Sequence, residues 1–243
     1  MIHRPQPARK EPLVVTTAQT FRQRLEEAVR GGHSQMHPFT DAWVNGQLTR
    51  RQLGEWARQH YHYVGHFSQW CGAVYARCPD QDARDFLLEN MWEEEMGNRH
   101  SDLLIRFAEA CGFTRDDVLN AEVLPTTRGL TAWCYEIAQG HSFLEGAAGL
   151  LVGLESQTPG IYRRNTPPLL EKYGFTEQEA EFFFVHMTAD EDHGERGYQI
   201  VERHATTPEL QDLAVRTVRE ATGMRWLYMG GLYRHFVQGE DRL

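Results

Sequence analysis

Leu53, Trp56, Tyr63, Phe67, Trp70 and Val74 follow one another at intervals of three, four and seven residues. Each residue of an α-helix turns the chain by about 100°, so this spacing gathers the large apolar side chains into one stripe that must be covered by other helices. Similar patterns recur along the chain. Phe21, Leu25 and Val29 repeat up to Gly31-Gly32, and a short segment, "HPFTDAWVNG", ends at Asn45-Gly46. Thr49 reads as the N-cap of one long helix that Pro79 terminates. Asp80 caps the next, which closes at Gly112 and has Gly97-Asn98 as its point of interruption. Thr114 opens a short helical turn, Pro125 precedes a helix through Trp133 and Ile137, and Gly140 separates that helix from "HSFLEGAAGLLVGLESQTPGIYRR". Thr176 with Glu179 has the form of a capping box for a helix to about His204, and Thr207-Pro208 opens the last helix, to about Phe236. There is no period-two alternation, internal repeat or low-complexity tract. The expected architecture is an all-α bundle of about seven main helices with ligand sites in its interior. A flexible segment, 1–14, is expected to precede a helical domain over 15–243.

Composition narrows the function. The chain has 243 residues, of which 41% are hydrophobic and 24% charged, enough for one large core. Its 25 Lys plus Arg against 34 Asp plus Glu give a net charge of −9 with no basic block, which argues against nucleic acid as a partner. Apolar runs such as Ala147 to Leu154 fall short of the roughly 20 residues of a membrane span, and "MIHRPQPARKEP" has no apolar leader core. A cytoplasmic protein without a membrane role is expected. Cys71, Cys78, Cys111 and Cys134 lack metal-type spacing and read as reduced, buried thiols.

Three helical segments carry groups that an apolar core does not need. In "VHMTADEDHGERG", His186, Asp190 and His193 lie four and three residues apart, one stripe two turns long. In "MWEEEMGNRH", Glu93 and His100 are seven apart, again one stripe if the helix is continuous. Glu155 ends the apolar run Leu150, Leu151, Val152, Leu154, where a carboxylate is costly to bury unless it is paired or bound to a cation. Each group alone also fits a solvated or hydrogen-bonded face. Together they bring three carboxylates and three imidazoles to one interior volume, the ligand complement of a pair of iron or manganese ions in a bundle. Six mixed ligands without thiolate exceed the needs of one tetrahedral zinc site.

The order Glu-x6-His, then Glu in "ESQxP", then His-x3-Asp-x2-His resembles the haem-oxygenase-like diiron oxidases and oxygenases. The resemblance extends over about residues 20 to 235, through "HPFTDAWVNGQLTRRQL", "ARCPDQDAR" and "LESQTP". It implies seven main helices around a cavity, with Glu93, His100, Glu155, His186, Asp190 and His193 as catalytic metal ligands. It also implies two Fe ions cycling between Fe(II) and Fe(III), with Mn as a substitute, O2 as co-substrate, a small-molecule substrate, an external electron donor and a homodimer. Amino acids, amines and fatty acids are among the substrates of the group. Members that make p-aminobenzoate from one of their own tyrosines carry a lysine after "ESQ". Thr40 and Asn165 occupy those two positions here, which points to an external substrate instead.

The same fold superfamily contains pyrroloquinoline quinone synthase, which works without metal, and the type II thiaminases, which need a nucleophilic cysteine for which Cys134 is the candidate. A cofactorless oxidase and a non-catalytic interaction module are therefore the alternatives. His62 and His66 read as packing or supporting groups, Tyr61, Tyr63, Trp56 and Trp70 as core and cavity wall, and Arg163 and Arg164 as solvated, with binding of a substrate carboxylate as their other reading.

Overall fold

The computed structural model describes residues 19–241; the side chains of residues 188–193 lie outside the described ones, as does the N-terminal segment 1–14. Among the described residues the chain is helical throughout, with no strand. The helices are α1 (Phe21–Gly31), α2 (Pro38–Val44), α3 (Arg50–Val64), α4 (Phe67–Tyr75), α5 (Gln81–Glu95), α6 (His100–Ala110), α7 (Arg115–Leu119), α8 (Pro125–Gly140), α9 (Phe143–Ala147), α10 (Thr158–Glu171), α11 (Glu181–His204) and α12 (Pro208–Leu232). A π-helical segment, Ala148–Leu154, and a single 3-10 turn, Glu155–Gln157, join α9 to α10.

The starts follow from cap chemistry. Thr20 with Gln23, Thr49 with Gln52 and Ser142 with Glu145 form reciprocal capping boxes, and Asp80 and Thr207 accept backbone N–H bonds from Ala83 and Leu210. Two sequence expectations, on the helices after Thr49 and Thr176, need correction, while the interruption expected at Gly97-Asn98 is present. The long helix after Thr49 divides at Gly65-His66 into α3 and α4, because the chain turns there before Phe67. The helix after Asp80 is broken between Glu95 and His100, where Gly97 adopts φ 71°, so Glu93 and His100 do not share one continuous stripe. Thr176 and Glu179 do bond each other, but they cap a turn, and α11 itself begins at Glu181.

The core is built from inward stripes that interlock. Trp43, Trp56, Phe107 and Phe183 form an aromatic cluster, with the rings of Trp43 and Trp56 edge to face at 5.0 Å. The π segment is buried along its whole length between α11 and α12. Its approach to α12 depends on Gly153, where an added Cβ would overlap the Cβ of Ala221. Alanine there would force backbone movement in the stretch that carries Glu155. Gly153→Ala should therefore lower stability by about 1–3 kcal/mol, read from urea denaturation; an unchanged midpoint would show that the two segments separate freely.

His37 shows how the bundle reacts to acid. Its Nδ1 accepts the Phe39 N–H at 3.1 Å as the N-cap of α2, while its ring packs edge-on against Trp226. Burial pushes its pKa down to about 4, against a smaller opposing effect of Asp41. Protonation would remove the acceptor, so the folded state holds the neutral form while the unfolded chain takes up a proton. The stabilisation is complete above the ordinary value of 6.5 and is lost as pH falls from there towards 4. His37→Asn keeps the cap and removes the titration, so its denaturation midpoint should fall less over that window than that of the parent chain.

Candidate metal centre and cavity

Next to the aromatic cluster, where His60 stacks on Trp56, lies a cavity of about 50 Å³. Its lining comes from α3 (His60, Tyr63, Val64), α4 (Phe67), α5 (Glu94), the end of the π segment (Leu154, Glu155), α10 (Thr158, Tyr162), α11 (His186) and α12 (Arg225). Glu94, His100 and His186 each turn one ligand-type atom towards a common point, all within 4.8 Å of one another. Glu94 Oε1 is 3.0 Å from His100 Nδ1 and 3.8 Å from His186 Nε2, and the two imidazoles stand edge to face at 4.4 Å.

The sequence order explains these positions. Ala83, Phe86, Leu87 and Asn90 form the inward stripe of α5, and Glu94 continues it one turn beyond Asn90. His100 arrives from the other side of the Gly97 break as the first residue of α6. Phe182 and His186 are one turn apart on α11, and the Phe182 carbonyl takes the Nδ1 hydrogen bond of His186 at 2.6 Å. That bond leaves Nε2 as the ring's free lone pair, the usual support for a metal-binding imidazole. Glu155 is only 9% exposed and accepts a 2.7 Å hydrogen bond from Asn90 Nδ2 at Oε1.

The electrostatics fit a cation. Burial opposes ionisation of Glu94, but the neighbouring His100 and His186 outweigh it and hold the carboxyl down at about 2. His100 Nδ1 is shielded from solvent and, although close to Glu94, is not aligned to hydrogen-bond it. An ionised carboxylate and two imidazole nitrogens that converge on one another are a donor set for a divalent or trivalent metal ion, and iron accepts such nitrogen and oxygen ligands.

Of the residues singled out in the sequence, the structure brings His100, His186 and Glu155 to this region. Glu93 is half-buried with Oε2 shielded from solvent, but Glu94 lines the cavity and meets the two histidines. Asp190 and His193 follow His186 by four and seven residues in α11, and their side chains lie outside the described residues. His62 Nε2 is bound to the Val118 carbonyl and His66 packs against Trp70 and Tyr135, consistent with supporting roles. Tyr63 is cavity wall, whereas Trp56 and Trp70 are core. Arg164 bonds Asp41 and the Gln35 carbonyl, and Arg163 is exposed, so neither reaches the cavity. Cys134 is buried outside the lining with its thiol pushed well up by burial, which disfavours a nucleophilic role.

Sequence reasoning missed Glu94, Asn90, His60 and Arg225. His60 is buried with its two nitrogens at 3.1 Å from the hydroxyls of Tyr228 and Tyr162. The available signal was the same in three of these cases: Asn90, His60 and Arg225 are polar residues on stripes that are otherwise apolar.

Comparison with known proteins agrees with this chemistry. Residues 54–226 match the family model of iron-containing redox enzymes. The chain is 32% identical over 228 residues to a 4-aminobenzoate synthase of Nitrosomonas europaea, covering 89% of this chain and 92% of that protein. It is 28% identical over 227 residues to a pyrroloquinoline-quinone synthase of Rhizobium meliloti, covering 91% and 88%. A Shewanella denitrificans domain of unknown function with a haem-oxygenase-like fold superposes with a TM-score of 0.74 at 20% identity, over 90% of this chain and 94% of that one. No helix among the described residues is long and apolar enough to cross a membrane. With the fold, the converging carboxylate and imidazoles, and a model match over most of its length, the chain belongs to the iron-containing redox enzyme family.

Proposed function

We propose that this oxidoreductase is an O2-dependent non-haem diiron oxidase or oxygenase that acts on a small organic substrate held in the cavity. The observation that carries the reading is the convergence of Glu94, His100 and His186, with buried Glu155 lining the same cavity as Glu94 and His186. The ligand set is proposed to comprise Glu93 or Glu94, with His100, Glu155, His186, Asp190 and His193. Bound iron would supply the electrons and the binding site through which O2 is reduced.

The chain's own residues prepare that chemistry. Phe182 fixes the orientation of His186, and Asn90 does the same for Glu155. Glu94 is ionised throughout the neutral range, so it meets a cation without first losing a proton. Val64, Phe67 and Leu154 keep the wall apolar and limit water around the reacting atoms.

An external substrate is favoured over oxidation of the chain itself. Thr40 is fully buried with its hydroxyl donating to the Ser34 carbonyl, and Asn165 is buried outside the cavity lining, so neither supplies a phenol or an amine there. The related 4-aminobenzoate synthases and pyrroloquinoline-quinone synthases support oxidation of a small aromatic or amino-acid-derived molecule as the reaction class.

Anaerobic titration with Fe(II) should saturate near two metal ions per chain, about the stoichiometry of a diiron bundle, and O2 consumption should then follow iron content. Glu155→Ala and His186→Ala should abolish both. Full O2-dependent turnover of a substrate by the thoroughly metal-depleted chain would instead establish a cofactorless oxidase. Asn90→Leu removes only the group that orients Glu155, so its iron affinity should fall by about 10–100-fold while the helical circular dichroism is retained. Parallel Glu93→Gln and Glu94→Gln titrations decide which carboxylate is the ligand: the larger loss of affinity identifies it.

A further inference from the structure

We infer that Arg225 is the anion-binding end of the cavity and that the substrate is a small carboxylic acid with an otherwise apolar body. This deepens the proposed function and rests on it for the reaction, but not for the binding. Arg225 occupies the inward stripe of α12 formed by Ala214, Val218, Ala221, Tyr228 and Leu232, and is 5% exposed. A guanidinium keeps its charge at any ordinary pH and is costly to bury without a counter-ion.

The groups around it do not provide one. Nη1 donates to the Leu154 carbonyl at 2.9 Å, which closes the end of the π segment and uses one donor. Among the described residues no carboxylate lies in ion-pair contact with the guanidinium. His60 also lines the cavity; both its nitrogens are engaged by tyrosine hydroxyls, and burial, then Arg225, then His186 push its pKa well down, so it adds no second cation beside Arg225.

The lining mixes Glu94, Glu155 and His186 with the cation Arg225, the hydroxyls of Tyr63, Tyr162 and Thr158, and the apolar Val64, Phe67 and Leu154. A carboxylate suits the remaining N–H donors, which can bind it in a bidentate fork, while an ammonium there would meet a like charge. The apolar body then has a surface to lie on. An amine lacking an acid group has no partner at Arg225.

The test measures binding of propionate, hexanoate and phenylacetate, each beside its neutral amide, with hexylamine as the cationic control. Calorimetry is performed on the full-length chain, iron-free and after anaerobic loading with Fe(II). At least one carboxylate should bind the iron-free chain about tenfold or more tightly than its amide. Arg225→Gln, which can still donate to the Leu154 carbonyl, should weaken that binding by about 10–100-fold, and Arg225→Lys by less. The inference is overturned if no carboxylate exceeds its amide, if Arg225→Gln weakens hexylamine as much as hexanoate, or if carboxylate affinity survives Arg225→Gln. Carboxylate binding that appears only with iron and ignores Arg225 would place the acid group on the metal and also overturn it. Comparison of acid with amide in the parent chain does not depend on how the variants fold. Iron stoichiometry is a separate readout, so failure of the diiron reading and failure of the anion site are distinguishable.

Discussion

Two carboxylates held inside a helical bundle set the terms for the rest of this molecule. Moving a carboxylate out of water carries a penalty of several kcal/mol unless opposite charge or hydrogen bonds replace the solvent. Here the replacement is built from separate helices: Asn90 of α5 for Glu155, His100 of α6 and His186 of α11 for Glu94. No single helix satisfies either group, so the carboxylates are stable only when α5, α6, α11 and the end of the π segment are docked together. The same demand that makes the site a receptor for a cation makes it dependent on the whole fold.

The π segment is the mechanical counterpart of that demand. Widening the helix over Ala148–Leu154 and tightening it at Glu155–Gln157 changes the register at which the chain leaves the core. Glu155 and Leu154 thereby line the cavity, and the Leu154 carbonyl receives the guanidinium of Arg225. Gly153 allows α12 close enough for this to happen, because its missing side chain is the space that Ala221 uses. Close packing and the electrostatic layout of the cavity are therefore one arrangement.

Much of this was legible in the sequence, for identifiable reasons. Helix starts are local: a Thr, Ser or Asp oxygen reaches an amide two or three residues away, so Thr49, Asp80 and Thr207 mark them without knowledge of the fold. The interruption between Glu95 and His100 was marked by Gly97-Asn98, whereas the one at Gly65-His66 was harder, since the apolar period continues across it and only tertiary packing decides where the chain turns. The histidines His100 and His186 and the carboxylate Glu155 stood out because their chemistry conflicts with their apolar surroundings. Glu94 did not, because three adjacent glutamates look alike until the helix end is known. Arg225 and His60 were hidden differently, by being single polar residues within long apolar stripes, which periodicity assigns to the core without asking what they do there.

The distribution of charge has a consequence for specificity within one fold. The proposed metal ligands must satisfy strict demands of donor type and convergence, and they come from separate helices that cannot shift independently. The rest of the wall comes from other elements: His60, Thr158, Tyr162 and Arg225 stand on α3, α10 and α12. A buried charge on that wall discriminates more strongly than an apolar contact, because a ligand that fails to match it leaves the charge unpaired. In this chain the cavity wall carries a buried cation, Arg225, together with the carboxylates Glu94 and Glu155 and the apolar Val64, Phe67 and Leu154. A ligand has to answer all three, and on the proposed reading a mismatch at Arg225 is the most costly.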